Sequence, residues 1–513
     1  MSLIKKILNN TNTLSSYKIP TFIFKIIFFF IILNSFILLY LSTTYLINDI
    51  YLDQNDPLIA SLSWFFEINK SIYNDINSSE RYSGPWGPLI YLFNYFPMKL
   101  LGPSIFTSKI FNFLCLFTSI IAFFLLIKKM TRDNSTSFFF TGLLSMIYLS
   151  TNAAPLSIRN DSLGYLLIII SLFFCLSNNK FKSYSNTVSF GILAAILINL
   201  KPQFALCLLP SFFYCLEKNY KLIKIFLIFI TTFFVTFYII WSFENLSLIN
   251  YILWLQIILN DIGNFTLDIF LKNFWFLLYL IIPLSILFFF NLKLIFIKEK
   301  IFFSLLIFIS MVFCLYSSRD GGGTADLFIL IPYYFFIFFL ILKNNNYFNK
   351  KELQGLLIIF TIIFLSFYTH SSTKGVVKTI QFIKSNELSK QIKEVDKILK
   401  TYPKGTKISI GYGSSLKGYL NLYTRPMLIY NNDYFFVELP HLFLTSTSRP
   451  IEDKTLKSIS NCINDVYLIP QGELPFVLKN NKEYFSNNLI KMFNTSFKKK
   501  ESYQFFDVWE CIK

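Results

Sequence analysis

From residue 20 to residue 46 the chain runs 27 residues with Lys25 as its only charged group. About 20 apolar residues in a helix are enough to cross the hydrocarbon core of a bilayer. The run is too long for the core of a cleaved signal peptide and ends without a small-residue cleavage site, so it reads as a retained anchor. Ten further apolar runs follow, near residues 105–127, 137–151, 162–177, 187–199, 203–216, 225–242, 273–290, 301–316, 326–342 and 353–369. The short fifth and sixth of these eleven also fit a paired dip into the membrane. The composition agrees: 54% of the chain is hydrophobic and 15% charged, where soluble domains carry roughly a quarter charged residues. The fold class is therefore a polytopic α-helical membrane protein with about eleven transmembrane helices.

A formal charge of +18 raises the question of nucleic acid, and the distribution of the charge answers it. The N-terminal tail through Lys25 and every second connection ("KKMTRDNST", "NNKFKSYSN", "EKNYKLIK", "NLKLIFIKEK", "KNNNYFNKK") together hold 18 Lys and Arg, against 7 in the intervening loops. Such a bias marks the cytoplasmic side. It implies a multi-pass protein of the inner (plasma) membrane with its N-terminus in the cytoplasm. The first loop and, after an odd number of spans, the C-terminal region then lie outside. No nucleic-acid partner is implied.

Residues 1–369 form the membrane module, with a first outer loop at 49–104; residues 370–513 form a soluble extracytoplasmic α/β domain. That domain opens with the amphipathic stretch "QFIKSNELSKQIKEVDKILKTY". "TKISIGYG", "RPMLIY", "DVYLIP" and "YQFFDVWECI" follow, all of strand composition. Cys462 and Cys511 are its only cysteines; export permits a disulfide between them, and two free thiols are the alternative. The first loop is too long for a plain connector. "PLIASLSWFFEI" and "PLIYLFNYFPMKLL" carry apolar residues at helical spacing and read as two interfacial helices flanking a polar hairpin.

The outer side collects the ionisable residues. The first loop supplies Asp53, Asp56, Glu67, Asp75, Glu80 and Arg81; "SIRNDSLGYL" supplies Arg159 and Asp161; "NLKPQF" supplies Lys201; "SSRDGGGTADLF" supplies Arg319, Asp320 and Asp326. Charges near membrane depth cost a few kcal/mol each and mark function or pairing. Each has a structural reading too. Asp56-Pro57 fits a helix cap followed by a first-turn proline. Arg159 and Asp161 fit a helix start, and Lys201 fits a snorkelling end. Their shared side is the informative fact. A carboxylate there can act as general base on an acceptor hydroxyl. Arg and Lys can stabilise an anionic leaving group, and paired acids could hold a divalent cation.

"DPLIASLSWFFEINKSIYND" followed by "YSGPWGPLIYLFNYFPMKLLGPSIFTSKIFNF" resembles the first outer loop of the GT-C-fold glycosyltransferases, in the branch of the aminoarabinose transferases and protein O-mannosyltransferases. "RNDSLGYLLIIISLFF", "GILAAILINLKPQFALCLLP" and "GGGTADLFILIPYYFFIF" resemble, in order, that branch's "RPDxL", "GxxxGxxxLxK" and "GGxxNYxLPxxP" segments. The likeness spans roughly residues 20–345. It implies an inverting transfer of a sugar from a polyprenyl-phosphate-linked donor to a lipid, glycan or protein acceptor at the extracytoplasmic membrane surface, in cell-envelope glycan biosynthesis. It also implies a first-loop Asp as general base. The family's "DE" pair is replaced here by Asn55-Asp56, with Asp53 three residues before Asp56, so both acids remain candidates; Asp56 is favoured because the helix pattern follows it directly. By the same resemblance Arg81, Arg159, Lys201 and Arg319 bind the donor phosphate. Glu80 and Asp161 bind the acceptor or a divalent metal such as Mg or Mn. A polysaccharide polymerase or ligase would carry two large outer loops, and a transporter or flippase would place polar residues and broken helices at mid-membrane; the chain shows neither pattern.

Overall fold

The computed structural model describes residues 21–512 apart from 54, 83, 85, 151–153, 160, 177–183, 217–221, 262–264, 291, 293–294, 320–321, 344–369, 385, 415–421, 432–436, 438–452 and 478–484. Helices cover ten of the eleven expected spans, and the last, 353–369, lies outside the described residues. The membrane module runs α1 (Thr21–Ile47), α2 (Asp56–Trp64), α3 (Pro88–Leu101), α4 (Ile105–Thr131), α5 (Asn134–Leu149), α6 (Asp161–Leu176) and α7 (Tyr184–Ile198). A 3-10 segment, Pro202–Leu208, leads into α8 (Leu209–Cys215), followed by α9 (Leu222–Trp241), α10 (Leu248–Asp261), α11 (Leu267–Phe290) and α12 (Ile297–Tyr316). A second 3-10 segment, Thr324–Leu330, leads into α13 (Ile331–Lys343). Six helical stretches among the described residues are long and apolar enough to cross a bilayer, and four shorter apolar helices accompany them. Leu222, Ile223, Phe226, Leu227, Phe234 and Tyr238 of α9 face outward, as on a helix with hydrocarbon for solvent.

Two helices flank the first-loop hairpin, as expected: α2 begins at Asp56 with a proline in its first turn, and α3 begins at Pro88; α2 is buried against the rest of the protein from Asp56 to Ser63. The hairpin is anchored by α10, a 14-residue helix in a stretch where no span is expected. Asn250 Nδ2 donates to the Tyr73 carbonyl at 3.1 Å and Trp254 Nε1 to that of Asn74 at 2.6 Å.

Beyond the membrane module, residues 370–384 form α14. Then come α15 (Asn386–Thr401), β1 (Ile408–Ile410), α16 (Arg425–Asn431), α17 (Asp453–Ser460), β2 (Val466–Pro470), α18 (Asn487–Ser496), β3 (Phe497–Ser502) and β4 (Phe506–Cys511). The strands form one mixed sheet in the order β1-β2-β4-β3, with β1 parallel to β2 and the other pairs antiparallel. Two readings change. "RPMLIY" is the helix α16, not a strand: Pro426 occupies its first turn, where a missing N–H costs nothing, and its buried Leu428 and Ile429 belong to the core. β3, "FKKKES", went unrecognised because its side chains after Phe497 are exposed. A disulfide joins Cys462 to Cys511.

Candidate active site

Asp56 opens α2 and is fully buried. Its Oδ2 accepts from the Tyr45 hydroxyl at 2.8 Å and from the Asp53 backbone N–H at 3.3 Å. Its Oδ1 accepts from Ser157 Oγ at 2.7 Å and the Ile158 backbone N–H at 3.0 Å. The carboxylate thus ties the end of the first span to the turn before α6. That turn is itself fixed from below: Asn112 Nδ2 reaches the carbonyls of Pro155 and Leu156, and Asn94 Nδ2 that of Ile158. Burial, followed by the neighbouring charge of Asp53, pushes the Asp56 carboxyl up to about 6.

Asp53 differs from Asp56 in access. Its side chain is 27% exposed. Oδ1 accepts from the backbone N–H and side-chain amide of Asn55, both at 2.8 Å, while Oδ2 lies 3.9 Å from Arg159 Nη1. From Asp53 an ion-paired chain crosses the end of the bundle. Arg159 Nη2 is 3.4 Å from Asp161 Oδ2; Lys201 Nζ is 2.5 Å from Asp161 Oδ1 and 3.6 Å from Asp326 Oδ1. Four separate segments meet here, and two glycines permit it. A Cβ on Gly164 of α6 would stand 2.9 Å from the Phe204 ring and 3.3 Å from Ile329, one residue in each 3-10 segment. A Cβ on Gly87 would stand 2.1 Å from the Asn199 carbonyl oxygen, where Gly87 and Leu89 N–H groups donate to the Leu200 and Asn199 carbonyls. The first loop is thereby held against the turn that carries Lys201.

The remaining expected residues lie to either side. Glu80 pairs with Lys70 at 2.9 Å, and Arg81 Nη1 donates to the Ile76 carbonyl at 3.1 Å; both are engaged in the hairpin. Arg319 stacks over the Tyr316 ring at 4.3 Å, its backbone bridged to Phe265, with no carboxylate partner among the described residues. Asp320 lies outside the described residues. Among the described residues no group of three or more His, Cys, Asp or Glu is placed to hold a metal ion such as Mg or Mn. Asp161 and Asp326 face Lys201 instead.

Two contributions went unforeseen. Lys109, 1% exposed in the first turns of α4, donates to the carbonyls of Tyr45 at 3.0 Å and Asn48 at 2.6 Å, closing the C-terminus of α1 beneath Asp56. Its position in an apolar run, one turn past the Ser104 cap, is the only sequence signal. The C-terminal unit also reaches the site. Its α16 packs on α2, with the Tyr430 ring edge-on to Trp64 at 6.1 Å and its hydroxyl 3.5 Å from that of Tyr51. Burial, then the charges of Asp56 and Asp53, push the Tyr423 phenol above its usual value. α17 holds the hairpin through Thr455 Oγ1 to the Ser79 carbonyl and Lys454 Nζ to that of Asn77.

No family model and no curated protein sequence matches the chain. Its structure is similar to the crystal structure of ArnT from Cupriavidus metallidurans bound to undecaprenyl phosphate. The TM-score is 0.51 at 11% identity, over 93% of this chain and 97% of that one. The shared feature is the fold, a bundle with several helices long and apolar enough to cross a membrane. At this identity the likeness establishes the fold and leaves individual residues to be argued from their own geometry.

Proposed function

We propose that the protein is an integral-membrane, inverting glycosyltransferase that moves a sugar from a polyprenyl phosphate to an acceptor on the extracytoplasmic face. One observation carries the reading. At the first-loop helix of a GT-C fold, a partly exposed carboxylate, Asp53, heads a chain of acids and bases drawn from four segments.

A general base has to touch the hydroxyl it activates. Asp56 is buried with both oxygens occupied, whereas Asp53 reaches water, so Asp53 is the base and Asp56 holds it in place. Asp53 takes the acceptor's proton, and the freed oxygen attacks the anomeric carbon on the face opposite the phosphate. The bond from that carbon to the phosphate oxygen breaks, and the polyprenyl phosphate leaves with the electron pair. Arg319, uncompensated among the described residues, together with Lys201 and Arg159, stabilises the charge that develops on the leaving oxygen. The C-terminal unit, packed on α2 through α16, forms the acceptor side. The bias of Lys and Arg toward the N-terminal tail and alternate connections supports an extracytoplasmic site.

The test incubates purified protein with a panel of labelled undecaprenyl-phosphate sugars and acceptor-bearing membranes, comparing wild type with Asp53→Asn. Transfer that is lost in the variant supports the mechanism. Undiminished transfer by the variant removes it, and no transfer from any donor removes the reaction class.

A further inference from the structure

The ion-paired chain has a charge balance unsuited to an open anion seat. Asp53, Asp161 and Asp326 supply three negative charges, while Arg159 and Lys201 supply two positive ones. A phosphodiester entering beside these bases meets a chain that is net negative on its own and no better than neutral with Arg319 counted, and like charges a few ångströms apart in a desolvated site repel strongly. One carboxylate has to yield. Asp161 is the tighter of the two on Lys201, at 2.5 Å with its side chain 4% exposed; Asp326 stands at 3.6 Å and is 20% exposed. Asp326 also sits in the first turn of a short 3-10 segment, after Gly323, beside which a Cβ would find open space. Arg159 is held by two acids at once, leaving the Lys201–Asp326 pair as the one that can be exchanged.

We propose that Asp326 is a resident stand-in for the donor's phosphate: it occupies Lys201 in the donor-free protein, is displaced when the lipid phosphodiester binds, and returns to Lys201 as the product leaves. The inference rests on the proposed function and adds a role for an acid that the transfer step does not use. A carboxylate competing for the same ammonium lowers donor affinity and, by the same competition, speeds release of polyprenyl phosphate, whose monoester carries more charge than the diester. No bond is made or broken in the exchange.

The experiment measures equilibrium binding of labelled undecaprenyl phosphate to the full-length protein in nanodiscs, for wild type, Asp326→Asn and Asp326→Ser. Most substitutions inside a binding site weaken binding; here both variants are expected to bind about tenfold tighter or better, the sign being set by removal of a competing unit charge. Asp326 is partly exposed and makes one long ion pair among the described residues, so its replacement leaves the fold intact; the serine variant covers a local failure of the asparagine one. Affinity equal to or below wild type in both variants overturns the proposal. Wild type and variants that all fail to bind undecaprenyl phosphate sink the donor assignment as well, which separates the two failures.

Discussion

The Tyr45 hydroxyl donates to Asp56 Oδ2 at 2.8 Å, joining the last turn of the first membrane helix to the first residue of the loop helix. Hydrogen bonds to a charged group contribute about 1.5–3 kcal/mol. Tyr45→Phe leaves that oxygen only the longer bond from the Asp53 N–H. We expect a loss of roughly 2 kcal/mol in stability. Turnover should fall about tenfold, because a small misplacement of reacting groups is costly. Thermal unfolding and transfer assays on the one variant check both.

Asp53 and Asp56 are expected to fail differently. Asp53→Asn keeps the Asn55 turn and the fold, and should abolish transfer while retaining undecaprenyl phosphate binding. Asp56→Asn puts an amide where four donors converge, two on each oxygen, so its NH2 faces two of them, and it should lower stability as well as rate. If Asp53→Asn transfers normally and Asp56→Asn is inert yet fully stable, the roles are reversed.

The raised Asp56 carboxyl gives a pH signature with a definite sign. Its folded value of about 6 lies above the ordinary 3.8, so the native state holds this proton more tightly than the unfolded chain does. The contribution to stability is complete below about pH 4 and is lost as pH rises through about 6. A two-unit shift amounts to something of order 3 kcal/mol. Relative to Asp56→Asn, wild-type unfolding temperature should decline across that window. Activity should run the other way, rising through about pH 6 as Asp56 ionises and can accept all four hydrogen bonds. A flat difference between the two proteins from pH 4 to pH 7 rejects this account.

The sequence exposed the oily architecture and the ends at which charges gather, because helix length and sidedness are properties of local runs. Pairing is not local. Lys201 and Arg159 each read as a phosphate ligand, yet Asp53 and Asp326 from distant segments, together with Asp161, compensate them. Only the close approach at Gly164 and Gly87 reveals it. Asp56, the favoured base on helix pattern, proves to be the buried member of the pair, since a residue's depth depends on neighbours as distant as Ser157. The "RPMLIY" run is expected as a strand and is the helix α16, since a short apolar run fits either until its partner, here α2, is known.

The disulfide between Cys462 and Cys511 closes a loop of sequence separation 49 and fastens the turn after α17 to β4. Removing a native disulfide costs about 2–5 kcal/mol. α17 also holds the first-loop hairpin through Thr455 and Lys454. Cys462→Ser with Cys511→Ser should therefore raise hydrogen exchange in residues 453–460 and, through them, in residues 75–80. Faster exchange in the first segment alone would show that the hairpin stands without this support.

Lys109 is the least expected charge in the membrane module. Its ammonium lies 4.2 Å from the Tyr45 ring centre and donates to the carbonyls of Tyr45 and Asn48, which end α1 without other helical partners. The amine therefore fixes where the first loop departs, and through Tyr45 it fixes Asp56. Lys109→Met preserves most of the side-chain volume but leaves those carbonyls unpaired in a buried site. Each unsatisfied group costs about 1–3 kcal/mol. Lys109→Arg retains the charge and donors, although its broader head must fit between Tyr45 and Tyr51, both within cation–π distance of the ammonium. We expect the methionine variant to lose both stability and turnover, and the arginine variant to recover part of each. Since the effect is transmitted through Tyr45, adding Lys109→Met to Tyr45→Phe should cost less turnover than the two separate losses combined. Strict additivity of the two would mean that Lys109 supports the bundle without steering the carboxylate.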